Sequence, residues 1–358
     1  MSEYWRVLTE AGITKERLAS YDRNITWEPS YIPASIPCFE NYLHILKKMH
    51  SSDDIFILLD EARGHCGGDT HRLMDDVKGN VNDHDTLRQM DRVLVLRKNV
   101  VHNHYDRNNT HKLKDIIFMD LCMESYTRQL TERIMHIDIG FEQYVREAVI
   151  IMENLVLSYG HQWTELKYCK DDLKVLVQNE IAKMPAGRLT EDAARKMKSV
   201  IDRMKGALAE VNTVIDRIMQ GKGELLGSAF RVDEYAMKLF AEEVLRGTLF
   251  FSLSMIIKKI DPLVRKSAHL GDWLIVSPGR SHGSRGFVER VHKLEDVMLK
   301  KYDQRTVLLV DKVTGEEEVP DNVQAIIMLN SSDYPDVLAH VSVRARNLKV
   351  LLAVLFNE

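Results

Sequence analysis

Residues 190–221, TEDAARKMKSVIDRMKGALAEVNTVIDRIMQG, carry apolar side chains spaced alternately three and four positions apart. This spacing aligns them in one stripe along an α-helix, the seam: Ala194, Met197, Ile201, Met204, Leu208, Val211, Ile215 and Ile218. Thr190 is of a residue type that caps helix starts, and Gly221 is predicted to end the helix. The pattern predicts a long helix packed lengthwise on a neighbour. Packing within the chain is favoured, while a homo-oligomer through the seam stays open.

The chain on either side of this helix is also predicted to be helical, from about residue 40 to residue 260. Phe141 to Val156 fits the template of a helix with one buried face. Further helices are predicted at 36–50, 86–96, 112–136 and 232–258. Asp261-Pro262 is expected to stop the last one, because proline lacks the amide hydrogen that a helix interior needs. The polar segment Gly64–Asn109 is predicted to form loops around one short helix.

After residue 271 the pattern changes to short runs rich in β-branched residues, which is typical of strands. Five strands are predicted, at 273–276, 286–291, 306–310, 323–328 and 350–355. The segment Gly279–Gly286 is predicted to be a hairpin loop between the first two. The predicted fold class is α plus α/β, with an N-terminal helical bundle region at residues 1–262 and a small β/α domain at residues 263–358.

The composition of the 358 residues argues against several classes of protein. Forty-nine Lys and Arg against 53 Asp and Glu give a net charge of −4, so no basic field is available to hold nucleic acid. The four cysteines lack CxxC spacing, which argues against a disulfide framework and favours a reducing compartment. Gly247–Ile257 is the most apolar run, and it is far shorter than the roughly 20 residues that span a bilayer. We therefore expect an intracellular protein with no membrane contact and no targeting peptide.

One segment, Asp333–Asn347 (DYPDVLAHVSVRARN), combines a turn with a predicted helix start and a histidine. Pro335 belongs to the turn, and the helix is predicted to begin around Leu338 to His340. Backbone N–H groups at a helix start are unpaired and the helix dipole is positive there, so a phosphoryl group is readily held at that place. A histidine with an ordinary pKa near 6.5 is mostly neutral at pH 7 and offers a nitrogen lone pair as a nucleophile.

Three residues near His340 are candidates for stabilising a phosphate on its ring. Arg344 shares its helical face, Arg346 adds a second positive charge, and Ser342 can donate a hydrogen bond. The spacing alone also fits a polar histidine at a turn beside solvated arginines. Other histidine clusters, near 65–71 and 102–111, lack the partners of a metal site, and no metal ligand is predicted.

The Asp333–Asn347 segment resembles the phosphohistidine signature of the α-glucan, water dikinases, the enzymes that phosphorylate starch. The match centres on PDVLAHVSVRARN, residues 335–347. Three other segments are similar to the family in the same order: 11–23 (AGITKERLASYDR), 263–273 (LVRKSAHLGDW) and 315–321 (GEEEVPD). The resemblance spans nearly the whole chain. It implies that residues 263–358 form a swivelling phosphohistidine domain behind the helical region.

The resemblance also implies a two-step phosphoryl relay. The β-phosphate of ATP passes to the histidine matched by His340 and then to a glucosyl hydroxyl of an α-glucan, starch or amylopectin, while the γ-phosphate goes to water. ATP and Mg²⁺ are implied for the full-length enzyme, although no residue identifiable in this chain binds them. A nucleotide-binding domain is therefore expected outside this chain. The implied location is the starch granule, in plastid or cytosol according to lineage.

Two positions depart from the family's signature. Ala339 stands where serine is usual and Leu348 where glycine is usual, so we expect a different turn after the helix. Two alternatives remain: a phosphoglucan-specific water dikinase, which shares the histidine, and a noncatalytic helical scaffold that keeps the fold as an interaction module. Loss of His340 in close relatives would favour the scaffold.

Overall fold

The structure is a computed structural model that describes residues 32–50, 54–80, 85–105, 109–137, 139–160, 162–184, 189–280, 285–331 and 333–356. The segment 11–23, noted above for its resemblance, lies outside these residues. No helix in the described ranges is long and apolar enough to cross a membrane.

Helices form the described chain up to residue 267. They are α1 (Ile36–His50), α2 (Asp54–Arg63), α3 (Gly68–Gly79), α4 (Thr86–Asn103), α5 (Thr110–Met135), α6 (Phe141–Tyr159), α7 (Thr164–Asn179), α8 (Glu191–Ala229), α9 (Glu234–Lys238), α10 (Phe240–Arg246) and α11 (Leu249–Ser267). Their apolar faces meet in one core, the helical core, which contains Met123, Met152, Met204 and Ile256. Burial of these faces is the main stabilising contribution to the helical part.

Helix α8 contains the predicted seam and begins where the sequence predicts. The Thr190 hydroxyl accepts a hydrogen bond from the Ala193 backbone N–H at 3.3 Å. The seam is buried in the helical core as far as Val211, so this part packs within the chain, whereas Ile218 is 52% exposed.

The predicted end of this helix at Gly221 was wrong, because α8 continues to Ala229. A Cβ on Gly223 would lie 2.4 Å from Phe240, and one on Gly227 would lie 2.4 Å from the sulfur of Met237. These two glycines therefore allow α10 and α9 to pack closely against α8 and do not act as a helix stop.

The prediction of loops around one short helix between residues 64 and 109 was also wrong. Helices α3 and α4 occupy most of this segment. Their buried residues include Met74 and Val77 of α3 and Met90 and Val93 of α4. These few apolar positions give each helix an inner face, although the surrounding residues are polar.

The single helix predicted at 232–258 is divided into α9, α10 and α11, and Pro262 lies inside α11 instead of ending it. A proline inside a helix leaves the carbonyl four residues earlier without its amide partner. That carbonyl belongs to Lys258, and the Tyr334 hydroxyl donates a hydrogen bond to it at 3.4 Å. Helix α11 thus runs across the predicted boundary between residues 262 and 263, and the position of the domain boundary stays a prediction.

The predicted strands are present as one five-stranded sheet, which confirms the fold class α plus α/β. The strands are β1 (Trp273–Pro278), β2 (Phe287–Lys293), β3 (Lys301–Lys312), β4 (Asp321–Met328) and β5 (Leu351–Leu355). Their order is β1-β5-β4-β3-β2, with β1 antiparallel to β5 and the other neighbours parallel. Because β1 and β2 lie at opposite edges, the hairpin predicted at Gly279–Gly286 was wrong.

Helix α12 (His340–Leu348) connects β4 to β5 and packs on β1 and β5. The sheet and α12 share a second core, the sheet core, which includes Leu308, Ile326, Val341 and Leu352. After Leu348, Lys349 adopts the left-handed conformation with φ of 55° and ends the helix. We call β1 to β5 with α12 the sheet unit.

Candidate functional site

The turn before α12 is fixed between the helical core and the sheet unit. Leu338 packs in the helical core, whereas Val341, three residues later, packs in the sheet core. The Asp336 carboxylate accepts hydrogen bonds from the Leu338 backbone N–H at 2.8 Å and from the Ser254 hydroxyl of α11 at 2.5 Å. These contacts hold the backbone so that His340 is the first residue of α12, close to the predicted helix start.

The imidazole of His340 is buried between two carboxylates. Its Nδ1 is hydrogen-bonded to Oε2 of Glu242 on α10, and its Nε2 lies 3.0 Å from Oε1 of Glu318 in the β3–β4 loop. The His340 side chain is 0% exposed. Nε of Arg344 lies 3.7 Å from Glu242 and 3.6 Å from Glu318, within ion-pair distance of both. We call these four side chains the His340 cluster.

The β3–β4 loop holds Glu318 in place through the residue before it. The Glu317 carboxylate is buried and accepts hydrogen bonds from the backbone N–H groups of Thr314 and Gly315 at 2.7 and 2.8 Å. Gly315 has φ of 108°, a conformation that residues with a side chain rarely adopt. The loop therefore folds back on itself and positions Glu318 at the ring of His340.

Burial and hydrogen bonding shift the pKa of His340 in opposite directions. Burial alone would lower the pKa, but the hydrogen bonds with Glu242 and Glu318 outweigh it and raise the pKa above its ordinary value. Burial likewise would raise the pKa of Glu318, but the hydrogen bond with His340 leaves it below its ordinary value.

A carboxylate therefore faces each ring nitrogen, and this arrangement favours the protonated ring. This differs from the neutral ring with a free lone pair that the sequence suggested. For the ring to act as a nucleophile, it must lose a proton and at least one carboxylate must move away.

The other two predicted phosphate stabilisers lie outside the His340 cluster. Arg346 lines a cavity of about 280 Å³ between α8, α11 and β1, beside Lys205 and Lys258. Burial lowers the pKa of Arg346 to about 10. Ser342 is 0% exposed, and within the described residues its hydroxyl has no hydrogen-bond partner. Of the three, Arg344 adjoins the ring, and the predicted roles of all three stay predictions.

Sequence reasoning missed both carboxylates of the His340 cluster. Glu318 belongs to a run of three glutamates, 316–318, that was noted for its resemblance alone; an acidic run just before a histidine motif was the available signal. Glu242 gave no such signal, because it is 98 positions from His340 and lies among other acidic residues.

The binding of ATP and Mg²⁺, implied by the resemblance for the full-length enzyme, stays a prediction. Within the described ranges no group of three or more His, Cys, Asp and Glu side chains is arranged to hold a metal ion. The start of α12, where a phosphate would otherwise be favoured, faces the carboxylates of Glu242 and Glu318. Like charges at this distance would repel the phosphates of a nucleotide.

Comparison with known proteins gives a consistent result. Residues 272–358 match the family model described as alpha-glucan water dikinase, phosphohistidine-like domain. The chloroplastic alpha-glucan water dikinase of Citrus reticulata is 32% identical over 100% of this chain and 25% of its own length. The corresponding protein of Solanum tuberosum is 33% identical over 99% of this chain and 25% of its own length. Alpha-glucan water dikinase 1, chloroplastic, of Arabidopsis thaliana is 32% identical over 100% of this chain and 26% of its own length.

No solved structure is significantly similar to this chain. The chain spans about a quarter of the length of these curated relatives. The matched region contains His340 and the whole sheet unit, and the similarity to the relatives continues through the helices before it. The resemblance seen in the sequence is thereby confirmed, and this chain belongs to the alpha-glucan water dikinase family.

Proposed function

We propose that this chain is the phosphoryl-carrying part of an α-glucan water dikinase and that His340 is the carrier. The observation that carries the proposal is the position of His340, the first residue of α12, inside the region that matches a phosphohistidine-like domain. Arg344 on the same face supplies a positive charge within reach of a phosphate on the ring. The names of the relatives support an α-glucan as the acceptor.

The first proposed step loads His340. A deprotonated ring nitrogen attacks the β-phosphorus of ATP, an N–P bond forms, and the P–O bond to AMP breaks. A water oxygen attacks the γ-phosphorus, the P–O bond between the β- and γ-phosphoryl groups breaks, and phosphate leaves while a water proton is released. The ring proton must leave before the attack, and the Glu318 carboxylate at 3.0 Å from Nε2 is placed to accept it.

The second proposed step transfers the group to the glucan. A glucosyl hydroxyl oxygen attacks the phosphorus, an O–P bond forms, the N–P electrons return to the ring, and the hydroxyl proton is released. Dividing the reaction at a phosphohistidine replaces one difficult transfer with two easier ones. Arg344 stabilises the negative charge of the phosphoryl group while it is on the ring.

The remaining parts of the reaction are assigned to the rest of a longer enzyme. Since the chain spans about a quarter of the length of its relatives, we assign nucleotide binding to a part of the enzyme outside this chain. The relatives described as chloroplastic support a plastid location at the starch granule.

The test uses the intact enzyme with ATP labelled at the β-phosphorus. We expect label on the protein that is stable in base and lost in acid, as a phosphoramidate should be, and we expect His340→Ala to abolish it. The matched control is His292→Ala, because His292 lies in the same sheet unit on β2 and its side chain is 75% exposed. Label that persists in His340→Ala, or that disappears equally in His292→Ala, would refute the assignment.

A further inference from the structure

The two carboxylates on His340 come from different parts of the molecule. Glu318 belongs to the sheet unit that also carries His340, whereas Glu242 belongs to α10 of the helical part. The contact between Glu242 and Nδ1 is therefore a contact between the two parts, and it closes over the ring. With the His340 side chain 0% exposed, this arrangement has no space for a phosphoryl group or its donor.

The charges of the His340 cluster favour this closed arrangement only while the ring is unphosphorylated. The protonated ring and Arg344 face the carboxylates of Glu242 and Glu318, and the Tyr235 hydroxyl lies beside Glu318. A phosphoryl group on Nε2 would replace a ring proton with a charge of about −1.5 to −2. The ring would then lose its positive charge, so its attraction to Glu242 at Nδ1 would weaken, and the added negative charge would repel the Glu242 carboxylate.

We infer that Glu242 is a positioning residue that closes over unphosphorylated His340, and that the ring takes up a phosphoryl group only when this contact opens. The inference rests on the proposed carrier role of His340. After opening, Arg344 loses one carboxylate partner and is available to the phosphate.

The opening is expected to begin at α10 and not at the turn before α12. The turn is held by the buried bond between Asp336 and Ser254 and by Leu338 in the helical core. Helix α10 has seven residues, and its last residue, Arg246, pairs with Glu316, whose side chain is 48% exposed. Partly exposed ion pairs of this kind contribute little stability, so the buried Glu242 contact is the main polar contact between α10 and His340's side of the molecule.

The test uses the whole 358-residue chain and a small phosphoryl donor, potassium phosphoramidate, which needs no nucleotide-binding domain. In this reaction the donor's N–P bond breaks, ammonia leaves as ammonium, and an N–P bond forms at the imidazole. Acid-labile phosphate on His340 is followed over time by mass spectrometry at neutral pH. We expect Glu242→Ala to accelerate phosphorylation of His340 at least tenfold over the wild-type chain.

Two control variants make the result specific. Glu243→Gln changes the next residue of α10, which pairs with Arg246 and not with the ring, and it should react at the wild-type rate. Glu242→Gln removes the charge but keeps the side-chain size, and it should also accelerate the reaction. His71, a partly buried histidine on α3, is the internal control. If a variant unfolds the chain generally, phosphorylation of His71 in the same sample should accelerate as well.

The outcomes separate this inference from the proposed function. Wild-type rates in both Glu242 variants, or equal acceleration at His71 and His340, would overturn the closing role of Glu242. Failure of His340 to accept label from ATP in the intact enzyme would overturn the carrier role instead. A selective increase at His340 in the Glu242 variants supports the inference.

Discussion

Replacing Glu147 by glutamine is expected to stabilise this protein at neutral pH. Glu147 lies on α6 with 0% exposure, and neither of its carboxylate oxygens has a hydrogen-bond partner of normal geometry within the described chain. Burial raises the pKa of Glu147 to about 8, and the Thr131 hydroxyl offsets this only in part. The folded chain therefore keeps a proton on Glu147 at pH 7, whereas the unfolded chain loses it.

The size of the effect follows from the two pKa values. The folded value of about 8 exceeds the ordinary value of 4.5. Below the ordinary pKa of 4.5, Glu147 does not lower the free energy of unfolding. As the pH rises from 4.5 towards 8, the free energy of unfolding falls, because only the unfolded chain releases the proton. At pH 7 the cost is about 2.5 pH units at about 1.4 kcal/mol each, or about 3.5 kcal/mol. Glutamine is neutral at every pH, so Glu147→Gln removes this cost.

Urea unfolding at pH 4.5, 6 and 7.5 measures the effect. The free energy of unfolding of Glu147→Gln should exceed that of the wild-type chain by about 4 kcal/mol at pH 7.5 and by little at pH 4.5. Glu153→Gln on the same helix is the matched control, because bonds to Lys174 and Lys98 outweigh burial and lower the pKa of Glu153. It should destabilise the chain by a similar amount at all three pH values, because the stabilising contribution of Glu153 is lost only as the pH falls below its ordinary pKa of 4.5. An equal gain from Glu147→Gln at all three pH values would refute the reasoning.

Three further predictions concern the packing, capping and buried ion pairs of the helices, and urea unfolding tests each of them. Gly223→Ala should lower the free energy of unfolding by about 1–3 kcal/mol, because its new methyl group would overlap Phe240. Gly221→Ala is the control: it has open space around it and should raise the free energy of unfolding by about 0.5–1 kcal/mol. Equal effects would contradict the packing role of Gly223. Thr190→Ala removes the hydroxyl that caps α8 and should lower the free energy of unfolding by about 1 kcal/mol, whereas Thr190→Ser keeps the hydroxyl and should leave the stability unchanged. Arg97→Met should cost about 3–5 kcal/mol, since it leaves two α5 carboxylates without their buried partner; an unchanged midpoint would refute that.

The sequence predicted those elements whose signals are local. The cap at Thr190, the seam of α8 and the β-branched runs of the five strands each depend on neighbouring residues, and each is found in the structure. Helix ends were predicted less well. Gly223 packs against a helix that lies later in the chain, and the carbonyl freed by Pro262 is bonded by Tyr334, so neither residue ends its helix. Contacts between residues distant in the chain thus keep both helices continuous, and the spacing of apolar residues along the sequence gives no information about such contacts.

The same distinction applies to the candidate site. The helix start at His340 and the shared face with Arg344 follow from spacing along a few residues, and both were predicted. The charge state of the ring was not, because it depends on Glu242 and Glu318, which reach His340 only through the fold. Arg346 has the same charge as Arg344, but its position two residues later turns it towards a different cavity.

The end of α11 limits how far the sheet unit can move relative to the helical part. Helix α11 ends at Ser267 and β1 begins at Trp273, so five residues join them. A fully extended segment of this length reaches about 17 Å. Arg265 shortens it further by donating hydrogen bonds to the carbonyls of Gly271 and Trp273. The sheet unit is therefore joined to the helical part by a short connection, and under the proposed carrier role both the phosphoryl donor and the glucan would have to reach a restricted region around the carboxyl end of α11.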